Sequence, residues 1–180
     1  MIFESVQDVK DFLNKISLIG VSTMAITKDY KQEAINILVE IRQLVSEHLE
    51  IQKSVFDPSV RSRIRFPFFS KKIDLENLYE TNKKIQANIY KILKKMQKDN
   101  KEFHIDPFIF GGIKDYALLF HTSSDKLSQI AISLHLDAKK QKKLTNEEYN
   151  KLVSEYQLLE NARLQKGTTI QKIAILLAED

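Results

Sequence analysis

The sequence predicts an all-α protein, a helical bundle of three long antiparallel helices packed with two or three shorter C-terminal helices. Two observations support this fold class. Glycine and proline occur only 4 and 3 times in 180 residues, and a chain built from long helices needs few turns. Apolar residues also recur every three or four positions over long stretches, which is the helical period. A chain of this length suits a single domain, 1–180, with a division into 1–102 and 103–180 as the alternative.

The first two helices are defined by apolar stripes that follow capping residues. Ser5 is the predicted N-cap of the first helix, and Thr27 or Asp29 that of the second. The stripe of the first helix consists of Phe12, Ile16, Ile19, Thr23 and Ile26. The stripe of the second consists of Ala34, Ile37, Ile41, Leu44, His48 and Ile51. Because the residue before a proline avoids the helical region, Pro58 ends this helix or begins a separate short one.

The third predicted helix carries the most regular pattern, and Asp74 can cap it. Its apolar positions alternate in steps of three and four: Leu75, Leu78, Asn82, Ile85, Ile89, Ile92 and Met96. This is a heptad seam with one polar member, Asn82. The seam predicts either the core of the bundle or the interface of a homodimer. We favour the core, because the neighbouring long helices also need a packing partner.

The second half of the chain is predicted to be more broken. Three stretches indicate helix starts: Asp106–Pro107, Thr122–Asp125 and the Thr145–Glu148 capping box. Two stretches indicate interruptions: Gly111–Gly112 and Gly167–Thr169. The sequence therefore predicts short helices between an irregular middle and the C-terminal end.

Composition excludes several classes of function. The chain has no cysteine, which excludes disulfides, thiol catalysis and thiolate metal sites. Its most apolar stretch, Ile16–Ile26, is far shorter than the ~20 residues that span a bilayer, and the first residues resemble no secretory signal. We therefore expect a cytoplasmic protein without an integral membrane segment. Its lysine-rich and isoleucine-rich composition is typical of an AT-rich bacterial or phage genome.

No complete catalytic set is evident along the helices. The chain has no glycine-rich phosphate loop, and His104, His121 and His135 have no neighbours at metal-ligand spacing. We expect neither a metal nor a cofactor. Helices with ordered apolar stripes and no chemical centre are typical of proteins that another molecule recognises. The leading hypothesis is a non-catalytic interaction protein, with an inhibitor, immunity or accessory role, whose partner is above all another protein.

One segment combines basic and aromatic side chains in a predicted loop, and we call it the Arg61–Lys72 segment. Its candidate partner-binding residues are Arg61, Arg63, Arg65, Phe66, Phe68, Phe69, Lys71 and Lys72. Arginine forks suit phosphates and carboxylates, while phenylalanines can stack on bases or enter a partner's groove. An acidic protein, RNA and an anionic membrane surface all fit this chemistry. The alternative is that the phenylalanines cover the end of the bundle while the basic groups stay hydrated.

A second candidate lies in the second predicted helix. The seven residues from Arg42 to His48 resemble the HEPN ribonuclease motif, in which an arginine is followed by a histidine after four to six residues. The resemblance implies a helical dimer in which Arg42 and His48 act on RNA phosphodiesters. Gln43 departs from the family, which usually has asparagine or aspartate there. His48 also lies on the apolar stripe, where a buried, hydrogen-bonded histidine is the alternative interpretation.

Basic residues outside the Arg61–Lys72 segment form two further clusters. One contains Lys91, Lys94, Lys95, Lys98 and Lys101, and the other contains Lys139, Lys140, Lys142 and Lys143. Lysines near the C-terminal end of a helix interact favourably with the helix dipole and remain hydrated, which explains both clusters without a ligand. If the three basic regions met in space, they would form a nucleic-acid-binding face whose affinity falls steeply with salt.

Overall fold

The computed structural model describes residues 30–57, 60, 74–103 and 106–178. Four long helices account for nearly all of this part of the chain. They are α1 (Tyr30–Val55), α2 (Leu75–Phe103), α3 (Pro107–Ala138) and α4 (Asn146–Ala178). The all-helical class predicted from the sequence is confirmed for the described residues. The predicted first helix, from Ser5 to Ile26, lies outside them, as does the Arg61–Lys72 segment.

Three helix starts occur where capping residues predict them. The Asp74 carboxylate accepts a hydrogen bond from the Asn77 amide at 3.0 Å. Asp106 accepts from the amides of the second and third residues of α3, and Pro107 occupies the first position. The capping box before α4 is reciprocal, because the Glu148 amide donates to Thr145 Oγ1 and the Thr145 amide donates to the Glu148 carboxylate.

Successive helices run antiparallel. On α1 and α2, Glu33 contacts Lys95 while His48 contacts Asn82, so residue numbers rise on one helix as they fall on the other. The pairs Glu76–Lys139 and Asn82–Ser124 give the same relation for α2 and α3. The pairs Asp115–Lys166 and Lys126–Glu155 give it for α3 and α4. The four described helices therefore follow an up-down-up-down course.

The seam of α2 packs inside the chain. Ile85, Ile89, Ile92 and Met96 are at most 4% exposed, and Asn82 is fully buried among them. They share one core cluster with buried residues of α1, α3 and α4. The seam is therefore core, as predicted from the packing needs of the neighbouring helices, and α2 does not offer it to a second copy of the chain.

The prediction of shorter C-terminal helices is wrong. The two C-terminal helices, α3 and α4, have 32 and 33 residues and are longer than α1 and α2, with 26 and 29. Both predicted interruptions and the predicted start at Thr122–Asp125 lie inside continuous helix. The hydroxyls of Thr122 and Thr168 donate to carbonyls three or four residues earlier in their own helices. Such back-bonding satisfies the hydroxyl without ending the helix.

The two adjacent glycines of α3 differ in what surrounds them. A Cβ on Gly112 would lie 2.5 Å from Ile173 Cδ1 and 3.2 Å from Thr169 Cγ2 of α4, whereas a Cβ on Gly111 would meet nothing within 4 Å. Gly112 therefore permits the close approach of α3 and α4. Gly111 is a helix-interior glycine without such a packing reason.

We expect the two positions to respond in opposite directions to larger side chains. Gly111→Ala should raise the free energy of unfolding by about 0.5–1 kcal/mol, because alanine loses less backbone entropy in a helix. Gly112→Leu should lower it by about 1–3 kcal/mol, because the added atoms overpack the interface with α4. Urea denaturation of both variants measures the difference, and shifts of the same sign would contradict the packing described.

Candidate functional site

His48 lies fully buried at the centre of the bundle. Its Nδ1 is 3.1 Å from Asn82 Oδ1 of α2, and its Nε2 is 3.1 Å from the Tyr156 hydroxyl of α4. The ring of Phe120 on α3 packs edge-on against the imidazole, with ring centroids 5.3 Å apart. One side chain of α1 therefore contacts all three other helices.

Asn82 fixes the proton position on His48. Its amide nitrogen donates to the Ser124 carbonyl and to Ser128 Oγ, both on α3. The amide oxygen is then the atom that faces His48, and it accepts from Nδ1–H because a carbonyl oxygen cannot donate. Nε2 carries no proton and accepts from the Tyr156 hydroxyl. The neutral tautomer protonated on Nδ1 satisfies both contacts.

A buried ion pair lies beside this histidine. Arg163 Nε and Nη2 donate to the two carboxylate oxygens of Glu160 at 3.0 and 2.7 Å, and Nη1 donates to the Tyr116 hydroxyl at 2.6 Å. The side chains of Arg163 and Glu160 are 3% and 10% exposed. Glu160 Oε1 lies 3.9 Å from His48 Nε2, which joins the ion pair to the histidine. We call the whole cluster the core network: His48, Asn82, Tyr116, Ser124, Ser128, Tyr156, Glu160 and Arg163.

Burial and pairing set the charges of this network. Burial lowers the pKa of His48, and it raises the pKa of Tyr156. Burial alone would raise the pKa of Glu160, but the hydrogen bonds and the charge of Arg163 outweigh it and lower that pKa. Burial alone would lower the pKa of Arg163, but Glu160 and Tyr116 raise it. At neutral pH the network therefore contains neutral His48 and one matched pair of charges.

We expect the buried, neutral His48 to make stability depend on pH in a defined window. The pKa of His48 is lower in the folded than in the unfolded chain, so the unfolded state binds more protons and acid favours unfolding. The free energy of unfolding should fall by about 1 kcal/mol between pH 7 and pH 5.5, across the ordinary histidine pKa of about 6.5. The lowered carboxylate pKa of Glu160 contributes only at lower pH.

Urea denaturation at pH 7, 6 and 5.5 measures this dependence, with His48→Gln as the matched variant. We expect the variant to be less stable at pH 7 but to lose little further stability down to pH 5.5. An equal pH dependence in both proteins would show that His48 is not the group responsible.

The structure places the two residues of the HEPN-like motif in different environments. His48 is fully buried, and both its ring nitrogens are engaged inside the bundle. Arg42 is only partly buried, on another part of the α1 surface. A phosphodiester bond has to contact the catalytic groups that act on it. In this conformation the His48 side chain contacts only the core of the bundle, and an external RNA cannot reach it.

A chain of hydrogen bonds connects the core network to the surface of the bundle. Beyond Asn82 it runs through Ser128, Gln86, Lys83, Asp125, Gln129, Lys126 and Glu155. Each of these steps is between 2.8 and 3.0 Å. It crosses from α2 to α3 and ends on α4. The side chains along this path are therefore held in place from the core outward.

The path ends at a groove between α3 and α4, which we call the α3–α4 groove. Its volume is about 430 Å³, and Gln129 and Glu155 both line it. The apolar lining comes from Ile132, Leu144 and Leu152, which are half-buried. Such a groove can take an apolar side chain from another molecule, with polar groups at its rim.

Around the α3–α4 groove the carboxylates are engaged by other groups, whereas in the described part of the chain the lysines are not. Glu155 is paired with Lys126 at 2.8 Å, and Glu148 is engaged in the capping box. Lys142, Lys143 and Lys151 also line the groove, and within the described residues none of their ammonium groups forms an ion pair. Lys142 and Lys151 act on the two carboxylates only at longer range. The groove therefore offers free positive charge next to apolar surface.

The two lysine clusters of the described helices do not form one compact face. Lys139 contacts Glu76 in the first turn of α2, at 3.4 Å. Lys91 and Lys98 lie 15 and 22 residues further along the same helix, which corresponds to about 22 and 33 Å. The α3–α4 turn therefore lies at one end of α2, and the lysines of the other cluster lie towards its opposite end.

The predicted partner-binding residues of the Arg61–Lys72 segment lie outside the described residues, so their contacts stay a prediction. The described residues at its two ends are Val60, which is buried, and Asp74, which caps α2. Asp74 is two residues from Glu76, the partner of Lys139. Asp74, which follows the segment, therefore lies at the end of the bundle that carries the α3–α4 turn.

Sequence reasoning found part of the core network and missed the rest. It identified Asn82 as the polar member of a seam and His48 as a polar residue on an apolar stripe. It missed the buried pair Glu160 and Arg163. The signal for them was available, because Tyr156, Glu160 and Arg163 follow at steps of four and three on one face of a helix. Charges on the continuation of an apolar stripe indicate a buried pair.

The described helices show neither a membrane-spanning segment nor a metal-binding cluster. None of the helices in the described ranges is both long and apolar enough to cross a membrane. Across the same ranges, no group of three histidines and carboxylates could hold a metal ion. Comparison of the chain with protein families, with curated proteins and with solved structures gives no match. The function is therefore argued from the residues of this chain.

Proposed function

We propose that this chain is a non-catalytic, cytoplasmic interaction protein that binds an acidic segment of a protein partner at one end of its helical bundle. The observation that carries the proposal is the α3–α4 groove, in which half-buried apolar side chains are surrounded by three lysines that form no ion pair within the described part of the chain. Free ammonium groups attract carboxylates, and the apolar lining favours a segment that also carries a large apolar side chain. An inhibitor, immunity or accessory role fits such an activity.

The Arg61–Lys72 segment adds to the same proposal. It precedes Asp74, which lies at the end of the bundle where the groove is, and it carries five basic and three phenylalanine side chains. Its arginines would extend the positive surface, and its phenylalanines would add apolar contact area. Arginine and aromatic residues are the types most often found at the energetic centre of protein interfaces.

Protein is favoured over nucleic acid as the partner because of the charge distribution. A nucleic-acid backbone is bound by basic groups that follow its phosphates along a continuous surface. The two lysine clusters of the described helices are instead separated along α2, at opposite ends. A ribonuclease built on Arg42 and His48 is disfavoured for a separate reason, since His48 is buried and fully hydrogen-bonded.

Affinity capture with the tagged full chain, with and without nuclease, tests the proposal. The test variant is Lys142→Glu with Lys143→Glu and Lys151→Glu, at the groove. The matched control is Lys84→Glu with Lys91→Glu and Lys94→Glu, three exposed lysines of α2. We expect a discrete protein partner that survives nuclease, is lost with the groove variant and is retained with the control. Changing Arg61, Arg63 and Arg65 to glutamate should also weaken the capture.

Other results would overturn the proposal. Recovery of RNA or DNA in place of a protein, or loss of every captured molecule after nuclease treatment, would make nucleic-acid binding the better function. Equal loss of the partner in the groove variant and in the control would show that net charge, and not the groove, carries the binding. RNA cleavage that disappears in a folded His48→Ala variant would favour the ribonuclease.

A further inference from the structure

The outward face of α4 carries large apolar side chains that the other described helices leave exposed. Leu158, Leu164, Ile175 and Leu176 are exposed to 70%, 42%, 53% and 50%. The opposite face of the same helix is buried through Tyr156, Glu160, Arg163, Ile173 and Leu177. The exposed leucines and isoleucine therefore lie on the side of α4 that turns away from the core.

This face carries almost no free charge. Between Gln157 and Ala178 the charged residues are Glu160, Arg163, Lys166 and Lys172. Glu160 and Arg163 pair with each other in the core, and Lys166 pairs with Asp115 at 3.0 Å. Lys172 is the one charge on the outward face that makes no such contact within the described residues. Covering the face therefore desolvates few charges, which keeps the cost of association low.

The outward residues follow a heptad spacing. Leu158, Asn161, Gln165, Thr168, Lys172 and Ile175 are separated by alternating steps of three and four, and all six are exposed. This spacing places all six on one stripe along the helix, the geometry in which one helix can lie along another. Its two ends are apolar, and its middle is polar. The pattern reads almost the same in both directions, as expected of a surface that meets its own copy about a two-fold axis.

We propose that α4 pairs in antiparallel orientation with α4 of a second copy of this chain, with the two-fold axis between Lys166 and Gly167. That axis sets Leu158 of each copy against Ile175 of the other, which covers the apolar ends. It sets Asn161 against Lys172, so that the amide oxygen accepts from the ammonium group. A parallel pair would instead bring the two Lys172 ammonium groups together, which is unfavourable.

The interface is independent of the α3–α4 groove and of any protein bound there. It consists of one helix from each copy, about 27 Å long between Leu158 and Leu176. Such a contact is at the small end of specific interfaces, so the dimer should be reversible and its population should rise with concentration. Self-association joins two groove-bearing ends in one particle, which raises the avidity for a partner with repeated acidic segments.

Disulfide trapping tests the pairing directly, because the chain contains no cysteine of its own. Leu158→Cys and Ile175→Cys are made as separate full-length proteins and oxidised alone and as a mixture. We expect a cross-linked dimer from the mixture and little from either protein alone, since identical positions lie far apart in an antiparallel pair. Tyr90→Cys, at an exposed residue of α2, should cross-link only at background level.

Sedimentation velocity of the unmodified chain measures the same association without cysteine. We expect the mass to rise towards twice the 21.0 kDa of one chain as concentration increases. Leu158→Glu with Ile175→Glu should abolish the dimer while the thermal midpoint stays unchanged, and Tyr90→Glu should leave it intact. Asn161→Glu should tighten it by about 2- to 5-fold, because each copy then pairs this carboxylate with Lys172 of the other.

Three outcomes would overturn the proposal. A chain that stays monomeric up to about 200 µM would show that a second copy does not bind this face in that concentration range. Disulfides that form as readily within each single variant as in the mixture would require a parallel pair. A dimer that persists in Leu158→Glu with Ile175→Glu would use another surface.

Discussion

Replacing Arg163 alone by methionine is expected to lower the free energy of unfolding by about 3–5 kcal/mol, because it leaves a carboxylate buried without its partner. Glu160 loses two hydrogen bonds at 3.0 and 2.7 Å, and the Tyr116 hydroxyl loses a donor at 2.6 Å. Methionine has a similar length, so the loss reflects the missing charge more than a cavity. Urea denaturation at pH 7 measures the effect.

The matched control removes all the polar partners together. Arg163→Met combined with Glu160→Leu and Tyr116→Phe should regain at least about 2 kcal/mol relative to Arg163→Met alone, because no buried charge then lacks a partner. The triple variant could instead be less stable than Arg163→Met by about as much as Arg163→Met is less stable than the unmodified chain. The three side chains would then contribute independently to stability. That result would contradict the description of Glu160, Arg163 and Tyr116 as one unit.

Asn82→Leu is the second substitution with a large expected effect, a loss of about 3 kcal/mol or more in the free energy of unfolding. The change removes the acceptor of His48 Nδ1–H and the donor to the Ser124 carbonyl and Ser128 Oγ. These groups are buried, so water cannot replace the lost partner without opening the bundle. The substitution would add an apolar residue to the seam, but it would leave several buried polar atoms without hydrogen-bond partners.

Asn88→Leu, on the same helix, is the control for Asn82. Asn88 is exposed, and substitutions at such positions usually change stability by no more than about 0.5 kcal/mol. Urea denaturation of the two variants at pH 7 should therefore separate them clearly. Equal stability of both variants would show that the hydrogen bonds of Asn82 stabilise the fold no more than the buried leucine side chain that replaces it.

These two predictions concern specificity as well as stability. The contacts of the core network involve side chains from α1, α2, α3 and α4, and a shift of one turn in any helix would break several of them at once. Replacement of a whole buried ion pair by apolar residues often leaves stability unchanged, so the pair can contribute to the choice of register even where it adds little stability. We therefore interpret the core network as the feature that selects one arrangement of four helices whose apolar faces could also pack in others.

Local sequence signals predicted three helix starts correctly, but a fourth start, at Thr122–Asp125, and both predicted interruptions lie inside continuous helix. Asp74, Asp106 and Thr145 act at short range, because each accepts hydrogen bonds from amides two or three residues ahead. Gly111–Gly112 and Gly167–Thr169 are also local signals, yet α3 and α4 continue through both. At Gly112 the tertiary structure decides, since the close contact with Ile173 requires glycine, and packing outweighs the ~1 kcal/mol that a helix loses at glycine.

The candidate site was less predictable than the fold. Whether the lysines at the α3–α4 groove are paired depends on which carboxylates already have a partner. Glu155 is paired with a residue 29 positions earlier. No local pattern shows that. Glu160 and Arg163, three residues apart, have the spacing of an ordinary surface ion pair on a helix. Only their position on the stripe that contains Tyr156 distinguishes them.

We propose that buried polar side chains of this chain maintain the fold, while a protein partner binds at the basic end of the bundle. The affinity of the captured partner, measured by calorimetry together with the thermal midpoint of each variant, tests it most directly. His48→Gln should melt at a lower temperature but bind with unchanged affinity. Lys142→Glu with Lys143→Glu and Lys151→Glu should melt normally but bind at least about 10-fold more weakly. The reverse pattern, in which folded His48→Gln loses the partner and the lysine variant keeps it, would contradict the claim.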